Sequence, residues 1–203
     1  MKITDREQLV ELDVNHPIWE HFFTVAPLVV IGTKEEGHYD LAPKHMAMPL
    51  GYDNYFGFVC TPRHSTYHNV KREGAFTVSF PHPDQVVLTS LTASPRTPEC
   101  SYAKPVLNGL PTFPANQVDA LFVTNSYLYL ECQLFKIIDG FGQNSLICGE
   151  IIGAYVEDAA LRVSDQDDQE LIQKTPLLAY LAYGRFAQIR ESYAFPFPRD
   201  FKI

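Results

Sequence analysis

The sequence predicts a mainly β protein with a few short helices, in which antiparallel strands form a closed or split β-barrel. Short apolar or alternating segments recur along the chain, and turn residues separate them. Strands and helices never alternate with the spacing of βαβ units, so antiparallel pairing is expected. At 203 residues, a single domain over residues 1–203 suffices to bury one core.

Four segments in the first half of the chain are typical of strands. They are PLVVIGT at 27–33, YDLAP at 39–43, YFGFVC at 55–60 and AFTVSF at 75–80. A glycine in GHY, between the first two segments, is a turn signal. We therefore expect the first half to be a meander of short strands.

The clearest strand signal is YLYLECQLFKI, which begins at Tyr127. Because side chains alternate along a strand, one face carries Leu128, Leu130, Cys132 and Leu134, and the other carries Tyr127, Tyr129, Glu131 and Gln133. The pattern predicts a long, half-buried strand. LICGEIIGAYVE follows the turn DGFGQNS and is the expected antiparallel partner, in which Gly149 and Gly153 predict a bulge or a close backbone approach.

Helix signals are few. Helices are predicted at 4–12, at 83–91 and at 164–175, the last with Ser and Asp in its first turn. The N-terminal segment 1–24 is accordingly expected to be helical, and the C-terminal tail 192–203 to be extended. Residues 94–114 contain five prolines and one glycine, which predicts a long loop with a functional or covering role.

Composition narrows the function. A formal net charge of −8 argues against broad nucleic-acid binding, which needs clustered cations. No apolar run approaches the roughly 20 residues of a membrane span, and the N-terminal sequence lacks the apolar core of a secretion signal. We therefore expect a soluble, cytoplasmic protein without a membrane partner. Cys60, Cys100, Cys132 and Cys148 lack metal-site spacing, and three of them lie in apolar strands, which favours small buried thiols.

The segment RHSTYHN, residues 63–69, gathers hydrogen-bond donors in an otherwise acidic chain. Ser65 or Thr66 is expected to cap a helix that ends near Gly74. A helix start with Arg63 in front of it suits a phosphate, to which Thr66 and Asn69 would add neutral donors. The alternative is a polar turn whose hydroxyl only caps its own helix. Spacing alone does not decide between the two.

Several motifs together resemble the flavin reductase family, whose fold is an FMN-binding split barrel. Leu41-Ala42-Pro43 is similar to that family's LAP turn, and the later hairpin around GEI and the loop YAKPVLNGLPTFP are similar to two further family elements. A second segment of the family, R-x-x-T-x-x-N-[IV] before G-x-F-x-V, is matched by Arg63, Thr66, Asn69, Val70, Gly74, Phe76 and Val78. The similarity covers roughly residues 20 to 190.

The resemblance implies an FMN site. It implies that the backbone after the LAP turn lies along the isoalloxazine edge, and that donors of the second segment bind the phosphate. The cofactor-binding residues expected on this basis are Ala42, Pro43, Lys44, His45, Met46, Ala47, Arg63, Ser65, Thr66 and Asn69, with Tyr183 and Gly184 at a stacking face near Phe186. Simple core packing is the alternative for those last aromatic residues.

Two positions depart from the family pattern. Family members commonly have Asn before the LAP turn and Ser two places after it, whereas this chain has Asp40 and His45. His45 either donates a hydrogen bond near the reactive flavin nitrogen, stabilises the reduced flavin as a cation, or only packs beside the ring. The histidines at 38, 45, 64 and 68 also raise the question of a metal, but no HExxH and no nearby Cys accompany them, so no metal is expected.

The resemblance implies an NAD(P)H-dependent flavin oxidoreductase acting on a small electron donor and acceptor. The alternative is an FMN electron carrier or redox sensor that makes no use of a nicotinamide. A barrel without cofactor that serves as a binding module, and a heme- or zinc-binding barrel, also stay open. The resemblance further implies a homodimer, and the apolar, proline-rich tail is expected to reach across a partner or to pack on its own barrel.

Overall fold

A computed structural model describes residues 9–97, 104–163, 165–181 and 184–199. Strands are the commonest regular structure in the described chain, and they pair antiparallel throughout. The strands are β1 (Val25–Pro27), β2 (Val29–Glu35), β3 (His38–Lys44), β4 (Ala47–Pro49), β5 (Tyr55–Cys60), β6 (Ala75–Pro81), β7 (Thr112–Pro114), β8 (Leu121–Val123), β9 (Ser126–Phe141), β10 (Asn144–Val156), β11 (Leu177–Leu181) and β12 (Arg185–Ile189). The helices are α1 (Ser65–Glu73), α2 (Val86–Leu91) and α3 (Asp168–Lys174).

The main sheet curls into a split barrel. Its seven strands have the order β3-β2-β6-β9-β10-β5-β4, so β3 and β4 form its two edges. Only His45 and Met46 join those edge strands, and Lys44 and Ala47 are therefore at most about 11 Å apart. We call His45 and Met46 the seam. The backbone N–H of Val59 donates to the Met46 carbonyl (2.8 Å), which ties the seam to β5. The predicted antiparallel split barrel is confirmed.

The barrel interior is apolar. Phe56, Phe58, Phe76 and Ile147 are almost completely buried there, and Phe58 meets Phe76 edge to face with ring centroids 5.2 Å apart. Leu130 and Cys132 belong to the same cluster, and Leu128 and Leu134 pack against it, so the alternation along β9 is confirmed.

Both predicted irregularities in β10 are present. The register with β9 shifts beside Gly149 and again beside Gly153. A Cβ on Gly149 would lie 2.6 Å from Cζ of Phe76, which is why the core tolerates only glycine at that position. Cys60, Cys132 and Cys148 are buried free thiols, as expected, and Cys100 lies outside the described residues.

The opposite face of β9 is buried at Glu131, although Gln133 on the same face is exposed. Glu131 is 0% exposed and makes no ion pair with a described residue. Its carboxylate accepts hydrogen bonds from the backbone N–H groups of Gln117 (2.6 Å) and Val118 (3.1 Å) and from the Tyr155 hydroxyl (3.0 Å). A buried carboxylate is stable only with such donors. Glu131 therefore fastens the segment before β8 onto the outer face of the sheet.

Three local predictions require correction. The strand expected at 27–33 is interrupted at Leu28, because β1 pairs with β11 in a small three-stranded sheet while β2 enters the barrel. The helix expected at 164–175 starts only at Asp168, after an Asp167 side chain that accepts from the backbone N–H of Glu170. The helix expected at 4–12 is absent over its described part, 9–12, where Leu9 and Val10 are exposed and no packing supports a helix.

The helix at 83–91 is present as a 3₁₀ turn that continues into α2. The proline-rich stretch 94–114 contains a 3₁₀ turn at Pro105–Gly109 and the strand β7, and its residues 98–103 lie outside the described chain. Residues 190–198 have no regular secondary structure, and the extended tail expected over 192–203 stays a prediction. None of the described helices combines the length and the apolar composition that a membrane span needs. The single domain and the cytoplasmic location stay predictions.

Candidate functional site

A cleft of about 340 Å³ lies beside the seam, where β3 ends and α1 begins. We call this opening the cleft. Its walls come from three stretches of chain: the end of β3, the N-terminus of α1, and the segment that follows α2 together with one lysine beyond it. The lining residues are Asp40, Ala42, Pro43, Lys44, Arg63, His64, Ser65, Thr66, Ala93, Ser94, Pro95, Arg96 and Lys104.

The N-terminus of α1 offers unpaired donors to the cleft. The sequence predicts Ser65 or Thr66 as the N-cap, but the cap residue is His64, whose side chain makes no capping hydrogen bond. A cap is worth only about 1 kcal/mol, so the packing of the buried face of α1 decides where the helix begins. Among the described residues, neither the backbone N–H groups nor the hydroxyls of Ser65 and Thr66 have a hydrogen-bond partner. Such a helix start favours an anion.

The predicted C-terminal end of α1 is correct. Gly74 adopts φ 67°, and its N–H donates to the Val70 carbonyl (2.9 Å). Glycine reaches this left-handed conformation without the strain that a Cβ would add. The helix is thus fixed at its far end, with its positive N-terminal end directed to the cleft.

Charge in the cleft is opposite in sign to that of the whole protein. Of the described lining residues, four are cations (Lys44, Arg63, Arg96 and Lys104) and one is an anion (Asp40), in a chain of formal net charge −8. Within the described part of the chain, Lys44 and Arg63 form no ion pair with a carboxylate. These two cations are therefore available to a bound anion.

A group of four charges, absent from the expected site, surrounds Asp40, and its members Asp40, Arg96 and Lys104 line the cleft. Nζ of Lys104 lies 2.8 Å from Oδ1 of Asp40, and Arg96 approaches both Asp40 (3.2 Å) and Glu35 (2.7 Å). We call Asp40, Glu35, Arg96 and Lys104 the Asp40 clasp. The sequence contained a signal for this group. Asp40 directly precedes the apolar Leu41 in a predicted strand, and a carboxylate that is buried there needs a cation as its partner. The sequence did not reveal which cation.

The backbone corner after the LAP turn brings the expected residues 42–47 to the cleft and the seam. Ala42, Pro43 and Lys44 line the cleft itself. Met46 is exposed at the seam, whereas the side chain of Ala47 is buried in the barrel core. Only the backbone of Ala47 can therefore contact a ligand.

His45 contacts the small sheet rather than the cleft. Its ring stacks on Tyr180 of β11, with centroids 4.3 Å apart and the planes inclined by 27°. The Tyr180 hydroxyl accepts a hydrogen bond from the backbone N–H of Gly184 (2.9 Å), which has φ 77° in the turn before β12. Gly184 is thereby linked to the seam through Tyr180, while Tyr183 lies outside the described residues.

Asn69 does not line the cleft. It is 1% exposed, its Nδ2 donates to Oγ1 of Thr33 (3.1 Å), and its Oδ1 accepts from Arg72 (3.2 Å). Asn69 shares a helix face with Thr66 but lies about 4.5 Å further along the axis, away from the helix start. Its contacts anchor α1 to β2.

The histidines do not gather with other ligands. In the described ranges, no three His, Cys, Asp or Glu side chains come together in a way that would hold a metal ion. His45 and His64 both have a pKa below the ordinary 6.5, because burial disfavours their cations and Lys44 adds repulsion. Stabilisation of the reduced flavin by a cationic His45 is therefore the least favoured of the three roles at neutral pH. A neutral His45 that donates a hydrogen bond or packs beside the ring is preferred.

We predict that His45 titrates with a midpoint below 6.5 in the folded protein, as measured by NMR. Because the unfolded chain then binds the proton more readily, the stability associated with His45 is present above pH 6.5 and is lost as the pH falls toward the folded-state pKa. Chemical denaturation across this pH range should give wild type a steeper loss than His45→Gln. Equal slopes, or a midpoint above 6.5, would contradict the prediction.

Comparisons with known proteins agree with this fold. The flavin reductase like domain matches residues 23–185, which is well over half of the chain. Flavoredoxin from Methanosarcina acetivorans is similar to this chain with a TM-score of 0.73 and 19% identity, over 93% of this chain and 95% of that one. Flavoredoxin of Desulfovibrio vulgaris (Miyazaki F) has a TM-score of 0.73 and 20% identity over 94% and 99% of the two chains.

A third similar structure is the FMN-binding protein from Thermus thermophilus with bound 1-cyclohex-2-enone. It has a TM-score of 0.74 and 18% identity, and covers 92% of this chain and 99% of its own. Among curated proteins, none matches this sequence significantly. The extent of the domain match shows that the chain belongs to the flavin reductase-like family, so the resemblance drawn from its sequence motifs is confirmed. A function related to flavin and oxidoreduction follows from that membership.

Proposed function

We propose that the protein is an FMN-dependent oxidoreductase that holds the flavin phosphate in the cleft. The observation that carries this proposal is the unpaired start of α1 beside Arg63 and Lys44, inside a protein of net negative charge. A phosphate monoester matches such a site because it accepts several hydrogen bonds and carries up to two negative charges. The residues present therefore fit the phosphate of a mononucleotide.

In this proposal, Arg63 pairs with phosphate oxygens, and the backbone N–H groups of Ser65 and Thr66 donate to them. The Thr66 hydroxyl adds a neutral donor, and Lys44 adds charge. Asn69 acts indirectly, by holding α1 against β2 through Thr33. The expectation that Asn69 itself touches the phosphate is thus replaced by a positioning role.

The flavin ring is proposed to lie along the backbone from Pro43 to Ala47, next to the seam. Main-chain groups there contact its edge, and the His45–Tyr180 stack forms the neighbouring wall. Bound flavin supplies the hydride and electron chemistry. The chain itself binds, orients and shields the ring. The FMN named in the description of the Thermus thermophilus protein supports the choice of mononucleotide.

NADH or NADPH is the proposed electron donor, and a small molecule the acceptor. The test is an anaerobic titration of FMN-loaded protein with each nicotinamide, followed by the visible flavin absorbance. Loss of the band on addition of NADH or NADPH supports the oxidoreductase. Bleaching by dithionite alone would favour the electron carrier instead, and protein that stays colourless after incubation with FMN would overturn the proposal.

A homodimer is proposed as the working form. Met46 at the seam, the neighbouring Met48, and Phe186 on β12 are exposed, as are Tyr193 and Phe195 in the tail. Exposed apolar side chains on several elements favour burial against another chain, and a second copy is the simplest partner. Light scattering should report twice the chain mass of 23.0 kDa.

A further inference from the structure

Asp40 is an unusual residue for an anion site. It lines the cleft together with Arg63, Ser65 and Thr66, and it is only 2% exposed. Among the lining residues that the structure describes, it is the one carboxylate beside four cations. A buried carboxylate in that position adds negative charge where a phosphate is proposed to bind.

The Asp40 clasp also occupies two of those cations. Lys104 and Arg96 both lie within ion-pair distance of Asp40, and Arg96 additionally pairs with Glu35. The clasp is therefore close to neutral as a group, and the attraction for an anion depends on Lys44, Arg63 and the start of α1.

Lys104 does not depend on Asp40 to stay in place. Its ammonium group donates to the carbonyls of Leu41 (2.9 Å) and Thr92 (3.0 Å). An ammonium group has three N–H donors, so one is left for Asp40 or for a bound anion. Asp40 and a ligand phosphate are thus competitors for Lys104.

We infer that Asp40 acts as an internal counter-anion that lowers the affinity of the cleft for the flavin phosphate, so that FMN exchanges rather than being held permanently. This inference rests on the proposed function and specifies how tightly that site holds its flavin. It makes Asp40 a determinant of affinity, although Asp40 does not touch the flavin ring.

The test is the affinity for FMN and for riboflavin, which lacks the phosphate, measured by calorimetry at low salt. Asp40→Asn keeps the shape and removes the charge. It is expected to bind FMN at least about tenfold more tightly, because a unit charge within about 10 Å of the phosphate acts on it through an effective dielectric constant of about 20. Riboflavin affinity should not change, and FMN affinity should fall more steeply with salt than in wild type.

Asp119→Asn is the matched control. Asp119 is also ion-paired, with Lys34 at 3.1 Å, and accepts from the Tyr39 hydroxyl, but it does not line the cleft. Its substitution should leave both affinities as in wild type. Lys104→Met should weaken FMN binding, and the Asp40→Asn/Lys104→Met double variant, which restores the charge balance, should return close to wild type.

Thermal unfolding establishes that each variant is folded. Should Asp40→Asn fail to fold, the comparison of the double variant with Lys104→Met decides, and tighter FMN binding by the double variant supports the inference. Wild type that prefers FMN over riboflavin, with Asp40→Asn unchanged or weaker, overturns the inference and leaves the proposed function intact. Wild type that binds neither flavin overturns the proposed function and the inference together.

Discussion

The Arg63→Ala/Thr66→Ala double variant is expected to bind FMN about 100-fold more weakly than wild type. A charged phosphate contact contributes about 2 kcal/mol and a neutral hydroxyl contact about 1 kcal/mol, which together correspond to two orders of magnitude in Kd. Riboflavin binding should stay unchanged, because neither side chain is proposed to contact the ring. Flavin fluorescence titration measures both affinities.

Lys71→Ala provides the control for this variant. Lys71 is a cation in the last turn of the same helix, at the end that faces away from the cleft. Its removal changes the net charge as Arg63→Ala does, but it should leave FMN affinity within about twofold of wild type, because the charge is remote and exposed. A loss of FMN affinity as large as that of the double variant, or an equal loss for riboflavin, would show that the phosphate is bound elsewhere.

Glu131→Ala is expected to destabilise the fold by about 3 to 4 kcal/mol. The change removes the acceptor of three hydrogen bonds, and it leaves the Val118 N–H buried without a partner and the part-buried Gln117 N–H without its acceptor. It also opens a cavity beside Gly153, where the Glu131 side chain now packs. Urea denaturation, with the midpoint and slope fitted together, measures the free energy of unfolding.

Two variants bracket this result. Glu131→Gln keeps an acceptor oxygen and should lose roughly half as much stability. Gln133→Ala removes an exposed side chain two positions along the same face, whose hydrogen bond to the Gly74 carbonyl is solvated, and should cost about 1 kcal/mol or less. A Glu131→Ala protein within 1 kcal/mol of wild type would contradict the anchoring role of Glu131.

The barrel strands were predictable because their signals are local. Alternation along β9 places Leu130 and Cys132 inside the barrel. This two-residue period is a property of the strand itself and does not depend on the strands beside it. The two bulges of β10 follow from Gly149 and Gly153 in the same way. The break at Leu28 was not predictable, because an apolar run carries no mark of the sheet to which each part belongs.

The same distinction holds for the candidate site. Arg63, Ser65 and Thr66 are neighbours in sequence, and the structure brings them together with Lys44 in one cleft. The Asp40 clasp depends on contacts across the fold, since Lys104 donates to Leu41 from 63 positions away. Asn69 was predicted from sequence spacing but lies outside the cleft. Its spacing places it on the same helix face as Thr66, but it lies further from the helix start, where its side chain donates to Thr33.

A crystal structure of the protein grown with excess FMN is the most direct measurement of the central claim. Phosphate oxygens are expected within hydrogen-bonding distance of the Arg63 guanidinium and of the backbone N–H groups of Ser65 and Thr66, with the ring beside the seam. FMN bound at another surface, or a cleft filled by the protein's own side chains in the presence of saturating FMN, would contradict it.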